Sequence, residues 1–237
     1  MRYDRKTKYI VFLFLLVVSL YIKYSDNINN SYALNDSVII KSISEIPDYD
    51  GKISIILNNN EPLFDDLAKS TSSFEVYSEL DSLGRCSQAY ASIGKDLMPT
   101  SKRENISMVK PSGWKVVKYD MIEDGKYLYN RCHLIAYQLT AENANPKNLI
   151  TCTRYMNTIG MQQYEDKVAN YIRKTSNHVL YRVTPVFEND NLLAKGVQME
   201  ALSIEDNGKG IRFNVFVYNV QPGIHIDYKT SDSYLIE

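Results

Sequence analysis

The sequence predicts an α+β fold with an antiparallel sheet. Two observations carry this. Tyr164, Val168, Tyr171 and Ile172 fall at i, i+4, i+7 and i+8, one face of a helix, and beyond residue 177 the apolar period changes to two. Hairpin signals separate the period-two segments. The 19 tyrosines fit the same class, because each adds apolar area with a polar tip to a half-exposed sheet face.

Along the chain, residues 1–8 are basic and Tyr9 to Ile22 is apolar apart from Ser19 and the tyrosine tips. That is the layout of a signal segment, expected as an N-terminal apolar helix. Its 14 residues are short for a membrane span, where about 20 are usual. Lys8 and Lys23 can snorkel at its ends and lengthen it. The weak small-x-small site Ser31-Tyr32-Ala33 lies nine residues past the run, so an uncleaved anchor is expected in preference to cleavage and secretion. Either way the rest of the chain is exported. The expected organisation is a signal anchor over 1–23, a polar tether over 24–45 and one folded domain over 46–237.

Within that domain, Ile53 to Leu57 reads as a strand closed by Asn58-Asn59-Asn60, and Cys86 to Ile93 as another. Met98 to Gly113 is a long irregular connection carrying Lys102, Arg103 and Lys110, and long loops inside compact domains are often functional. The helix is expected from about Met156 to Lys174, stopping at Ser176-Asn177. Three strands follow, His178–Phe187, Ala194–Ile204 and Ile211–Val220, with turns at Asp190-Asn191 and Asn207-Gly208. Pro185 points to a bulge or edge position.

Charge narrows the function. The net charge is −1, but residues 1–23 hold five of the 27 basic residues and one of the 28 acidic ones. Residues 24–237 therefore carry 22 basic against 27 acidic residues, a net of −5. This excludes a globally basic nucleic-acid binder; any phosphate binding rests on a local patch. Three cysteines make no disulfide framework, and the spacing of Cys132 and Cys152 is wrong for a usual zinc site. Two free thiols are expected there.

The chemistry concentrates around Asn130-Arg131-Cys132-His133, read as a polar loop. Asn148 follows His133 by 15 residues, Asn157 lies 9 further on and Glu165 another 8. Asn157 at the start of the helix and Glu165 two turns later lie along one side. A hard cation such as magnesium takes oxygen ligands and keeps several waters, so one amide plus substrate phosphate oxygens suffices to hold it. A base, a cationic residue, two amides and a carboxylate can together handle one hydrated metal and one phosphodiester. An unperturbed histidine titrates near ~6.5, so a rate limited by such a base rises through roughly pH 6 to 8. Taken singly, each residue has a bland reading: a structural histidine, a turn or cap asparagine, a solvated glutamate. Their joint spacing carries the inference, and His178 and His225 keep the bland one.

Asn130 to Glu165 resembles the DNA/RNA non-specific endonucleases, which carry a ββα-metal (His-Me) finger with an Asp-Arg-Gly-His signature, an asparagine, a metal-binding asparagine and a glutamate. Leu83-Gly84-Arg85, Met98-Pro99-Thr100, Asn148-Leu149-Ile150-Thr151, Thr153 to Asn157 and Tyr218 to Ile224 extend the likeness to the exported, membrane-tethered DNA-entry-type nucleases of Gram-positive bacteria. The resemblance implies a central antiparallel sheet with the finger on one face. It implies hydrolysis of DNA, and of RNA as well, with magnesium as cofactor and manganese as a substitute. His133 takes the place of the general base, Asn157 that of the single protein ligand to magnesium, and Glu165 that of the carboxylate orienting the metal's waters. Asn148 resembles the amide that shapes the site. Arg131 and Arg103 resemble the arginines that hold phosphate; Lys102 and Arg154 are further candidates for phosphate contact. The partners implied are nucleic acid and, through residues 9–22, the membrane.

The chain departs from the signature at Asn130, where the family has Asp, and at Cys132, where it has Gly; Cys152 replaces a glutamine found in some relatives. These departures motivate the rival reading, a surface DNA-binding or uptake protein with a degenerate site. The net −5 argues against it.

Overall fold

A computed structural model describes residues 37–38, 46–64, 71–123 and 125–236. The expected anchor helix lies outside the described residues, as does the tether except for Ser37–Val38, which form a two-residue strand, β1. Among the described residues no helix is long and apolar enough to cross a membrane.

The remaining strands are β2 (Ser54–Leu57), β3 (Phe74–Tyr77), β4 (Ala89–Ile93), β5 (Tyr129–His133), β6 (Leu149–Thr153), β7 (Val179–Val186), β8 (Gly196–Ser203), β9 (Arg212–Tyr218), β10 (Ile224–Ile226) and β11 (Ser233–Leu235). A short helix α1 (Tyr137–Thr140) lies between β5 and β6, and α2 (Gln162–Thr175) follows β6 after a π-helical turn, Met156–Met161. The main sheet has the order β1-β2-β9-β8-β7-β4-β3; β5 pairs with β6 and β10 with β11 as separate ribbons. The fold is thus α+β around a central antiparallel sheet, as the change of period predicts.

Period two explains the core. Val179, Tyr181 and Val183 of β7, Val197, Met199 and Ala201 of β8, and Phe213, Val215 and Val217 of β9 belong to one buried cluster with Val168, Ala169 and Ile172 of α2. The predicted helix stripe is the face that packs there: Val168 and Ile172 are buried, and Tyr164 and Tyr171 flank them half-buried. Full burial of an aliphatic side chain is worth about 1.5–3 kcal/mol, so this stripe holds α2 on the sheet. The opposite face has its own cluster, Ile46, Leu57, Val186, Phe216 and Tyr218. The long strands are therefore covered on both sides.

The turns follow their residues. Asn207 and Gly208 have φ of 55° and 78°, the left-handed geometry an Asn-Gly hairpin requires. The β7–β8 turn is centred one residue earlier than expected, with Asn189 at φ 47° and Asn191 N–H donating to Glu188. β4 ends opposite Val183, so Pro185 sits on a locally open edge of β7, where a missing N–H is tolerated.

Two expectations are overturned. Asn130 to His133 form strand β5 and not a polar loop, because β6 pairs with them from Tyr129↔Thr153 to His133↔Leu149. The same register makes Cys132 and Cys152 diagonal neighbours, Cα–Cα 5.9 Å, joined as a disulfide. Sequence spacing could not show that proximity. Cys86 is the free, buried thiol among the described residues.

Candidate active site

Strand alternation sorts β5 into two faces. Cys132 enters the core, while Arg131 and His133 line a cleft whose other wall is the π turn and the first turn of α2. Asn157, Gln162 and Glu165 come from that wall, Arg103 from the long irregular connection, and Ala136, Tyr137 and Gln138 from around the start of α1. The π turn packs closely on the sheet: a Cβ on Gly160 would lie 2.5 Å from Val217 and 3.0 Å from Ile53. The wider turn replaces the regular helix start predicted at Met156, and such turns recur at functional sites.

His133 is 7% exposed. Its Nε2 lies 2.7 Å from the Asn143 carbonyl oxygen. A carbonyl only accepts, so Nε2 carries the proton and Nδ1 keeps a lone pair. Burial pushes the imidazole pKa down to about 4; the Asn143 carbonyl opposes that shift and the Arg103 charge adds to it. The ring is a neutral proton acceptor at pH 7, and its titration lies below the pH 6–8 window of an ordinary histidine.

Glu165 is buried in the same cleft. Burial first, then Asp166, raises its pKa to about 8, against the pull of Arg103. Among the described residues neither the Glu165 carboxyl nor the Asn157 amide makes a side-chain hydrogen bond, although both line the cleft. Arg103 is exposed at the cleft, where it lines the same space as His133 and Glu165 and its charge acts on both.

The other residues singled out in the sequence sit differently. Asn148 is fully buried behind the cleft. Its Oδ1 accepts from Ile135 N–H at 2.8 Å and its Nδ2 donates to Ile135 O at 2.9 Å, while its own carbonyl accepts from Leu134 N–H. It pins the chain just after His133, so it is a positioning residue. Arg131 donates from Nε to Val109 O and from Nη2 to Ser107 O, and its guanidinium lies 3.8 Å from the Trp114 ring centroid. Two of its three nitrogens therefore hold the irregular connection in place. Lys102 is exposed and does not line the cleft; Arg154 lines the adjoining groove with Asn130 and Trp114. Asn143 acts through its carbonyl and leaves no side-chain signal in the sequence. Gln162 also lines the cleft, one turn before Glu165 on the same helix, a spacing visible in the sequence.

Residues 66–204, which include every one of these groups, match the family described as DNA/RNA non-specific endonuclease.

The chain belongs to this family.

A deoxyribonuclease from Streptococcus dysgalactiae subsp. equisimilis is 30% identical over 195 residues, 65% of this chain; the chain spans 58% of that relative's length. NucA from Streptococcus agalactiae with magnesium bound superposes with a TM-score of 0.71 at 26% identity, covering 82% of this chain and 92% of NucA. The Sda1 nuclease with bound zinc gives a TM-score of 0.59 at 31% identity, covering 69% and 80%. As a member of the DNA/RNA non-specific endonuclease family, this chain keeps its departures away from the base. Cys132 points into the core toward Cys152, and Asn130 lines the adjoining groove.

Proposed function

We propose that this chain is a divalent-metal-dependent endonuclease that hydrolyses phosphodiester bonds of DNA and RNA outside the cell. The observation that carries this reading is a neutral, buried histidine, held by Nε2, opening onto the same cleft as an amide and a carboxyl that lack hydrogen-bond partners among the described residues.

Those two groups fit a hydrated divalent cation. A buried carboxyl without hydrogen bonds is costly unless a positive charge compensates it, and the raised pKa of Glu165 records that cost. Among the described residues no three His, Cys, Asp or Glu side chains converge into a metal cage. Magnesium suits such a site, because it keeps several waters and needs few protein ligands, and manganese has similar oxygen preferences. Asn157 would hold the ion, with Glu165 beside it. When bound, the cation supplies positive charge at the phosphate and the leaving 3′ oxygen.

The side chains do the rest. His133 Nδ1 takes the proton of a water that attacks phosphorus, while Nε2–H stays on the Asn143 carbonyl and fixes the ring. Arg103, and the nitrogen of Arg131 not engaged with the loop, hold the phosphate oxygens. Asn148 keeps His133 at the cleft wall by fixing Ile135. The bond from phosphorus to the 3′ oxygen breaks, solvent water protonates that oxygen, and the ends carry a 3′ hydroxyl and a 5′ phosphate. Export rests on the basic-then-apolar segment over 1–23, with residues 9–22 as membrane anchor, and on the disulfide, a bond that persists in oxidising compartments. Residues 46–237 are the nuclease domain in this reading.

The test is a cleavage gel with duplex DNA, single-stranded DNA and RNA, with and without a chelator. Cleavage of all three substrates, lost with chelator and restored by magnesium, is expected. Cleavage that survives the chelator would overturn the metal-dependent reading, and nucleic-acid binding without cleavage would favour the degenerate rival.

A further inference from the structure

A second groove opens beside the cleft, sharing Arg103, Arg131 and Asn157 with it. Its cationic lining is Arg103, Lys115, Arg131 and Arg154, and among the described residues no aspartate or glutamate lines it. In a chain whose residues 24–237 carry a net charge of −5, that is a marked local concentration. Its remaining wall is aromatic and apolar: Trp114, Tyr127 and Tyr129, with Ile106 and Val116. Its volume, about 460 Å³, lies within the range of roughly 300–1,000 Å³ in which pockets hold single organic ligands.

We infer that this groove is a track for an unpaired polynucleotide strand, with the nucleotide next to the scissile phosphate stacked on Tyr127. The inference rests on the endonuclease reading of the adjoining cleft. Cations that follow a sugar-phosphate backbone, interleaved with aromatic rings that take base faces, are the chemistry of single-strand binding. The Tyr127 ring carries the Lys118 ammonium 4.4 Å from its centroid, yet the residue is 43% exposed and lines the groove. Lys115 is held by Asp232 at 2.6 Å, which fixes where its charge sits. The Trp114 ring is covered by the Arg131 guanidinium and packs against an apolar cluster, so Tyr127 is the more exposed platform. The pocket volume and its two walls, the irregular connection on one side and Arg154 with Asn157 on the other, suit one strand better than a duplex.

The test measures binding by fluorescence anisotropy, in chelator so that nothing is cut. It uses the full-length chain in mild detergent with labelled oligonucleotides of about 12 nucleotides, single-stranded or duplex. The parent should bind the single strand more tightly. Tyr127→Ala should weaken single-strand binding about tenfold or more and duplex binding much less, while Tyr127→Phe, which keeps the ring, should stay near the parent. Arg154→Ala should reduce the salt dependence of single-strand binding by about one phosphate contact, a change near 0.7 in the log–log slope. Equal parental affinity for both forms, or a Tyr127→Ala effect that is absent or the same on both, would overturn the track. Plasmid cleavage by the parent, scored separately, keeps the two readings apart. Cleavage without strand discrimination sinks the track alone. Discrimination without cleavage sinks the enzyme reading and leaves the track.

Discussion

Two buried glutamates separate the scaffold from the site. Glu200, on β8 of the main sheet, is 2% exposed and fully engaged: its Oε2 accepts from Arg182 Nε at 2.7 Å and its Oε1 from Leu63 N–H at 2.8 Å. Glu165, on α2 beside the β5–β6 ribbon, is buried in the cleft with no hydrogen bond among the described residues. The same contrast holds for amides. Asn219 bridges Thr153, Thr151 and Ala194, whereas Asn157 makes no side-chain bond among the described residues. Glu200 and Asn219 are thus satisfied, as buried polar groups in folded proteins generally are, although the Tyr181 hydroxyl of β7 has no hydrogen-bond partner among the described residues. The cleft withholds partners, which marks groups kept for something other than the fold.

The largest effect should come from His133→Ala. If the neutral ring is the proton acceptor, cleavage falls by about 10²–10⁴-fold while the thermal melt changes little. The histidine ring resonances of the metal-free parent should titrate near pH 4 for His133, in line with its burial. A midpoint near 6.5 would return it to an ordinary, solvated histidine.

Next in size is the staple across β5 and β6. Cys132 and Cys152 are 20 residues apart in sequence, and closing a loop of that size is worth about 3 kcal/mol. The double variant Cys132→Ser, Cys152→Ser should lose that much in denaturant unfolding, and a reductant should lower the parent's midpoint without affecting the variant's. An unchanged parental midpoint in reductant would show that the staple carries no stability.

Glu200→Ala should destabilise by about 2 kcal/mol, because it leaves Arg182 and the Leu63 N–H without their acceptor. Cleavage per folded molecule should be unchanged, since Glu200 belongs to the scaffold. A specific loss of rate at full stability would break the contrast between the two glutamates.

Glu165→Gln should act in the opposite direction on stability. The folded pKa of about 8 lies above the ordinary carboxyl value. The folded protein therefore holds a proton that the unfolded chain releases above about pH 4.5, and stability drains away as pH rises from there through about 8. A neutral amide removes that loss. In chelator the variant should melt higher than the parent at pH 8 and together with it at pH 4, yet cleave poorly with metal. A lower melt at pH 8 would place Glu165 with Glu200, as a scaffold residue.

Much of the fold was legible because its signals are local. The stripe Tyr164, Val168, Tyr171 and Ile172 needs only a 3.6-residue period, and Asn207-Gly208 needs only left-handed backbone. β5 and β6 were less legible. Asn130 and Arg131 disguise a strand whose identity comes from its partner, and β3 was missed outright. Of the cleft, the residues whose spacing follows one helix, Asn157 and Glu165, do reach the same space as His133.

By itself, then, the sequence determined the α+β class, the helix face, the hairpin strands and the residue types that meet in the cleft, because periodicity and turn chemistry act over a few neighbours. Tertiary structure decided what each group is free to do. It chose Nδ1 of His133 by giving Nε2 to the Asn143 carbonyl, turned Asn148 into a clamp on Ile135, joined Cys132 to Cys152, and tied Arg131 to Ser107 and Val109. Each of these depends on cross-strand register and burial, which bring together residues that are distant along the chain.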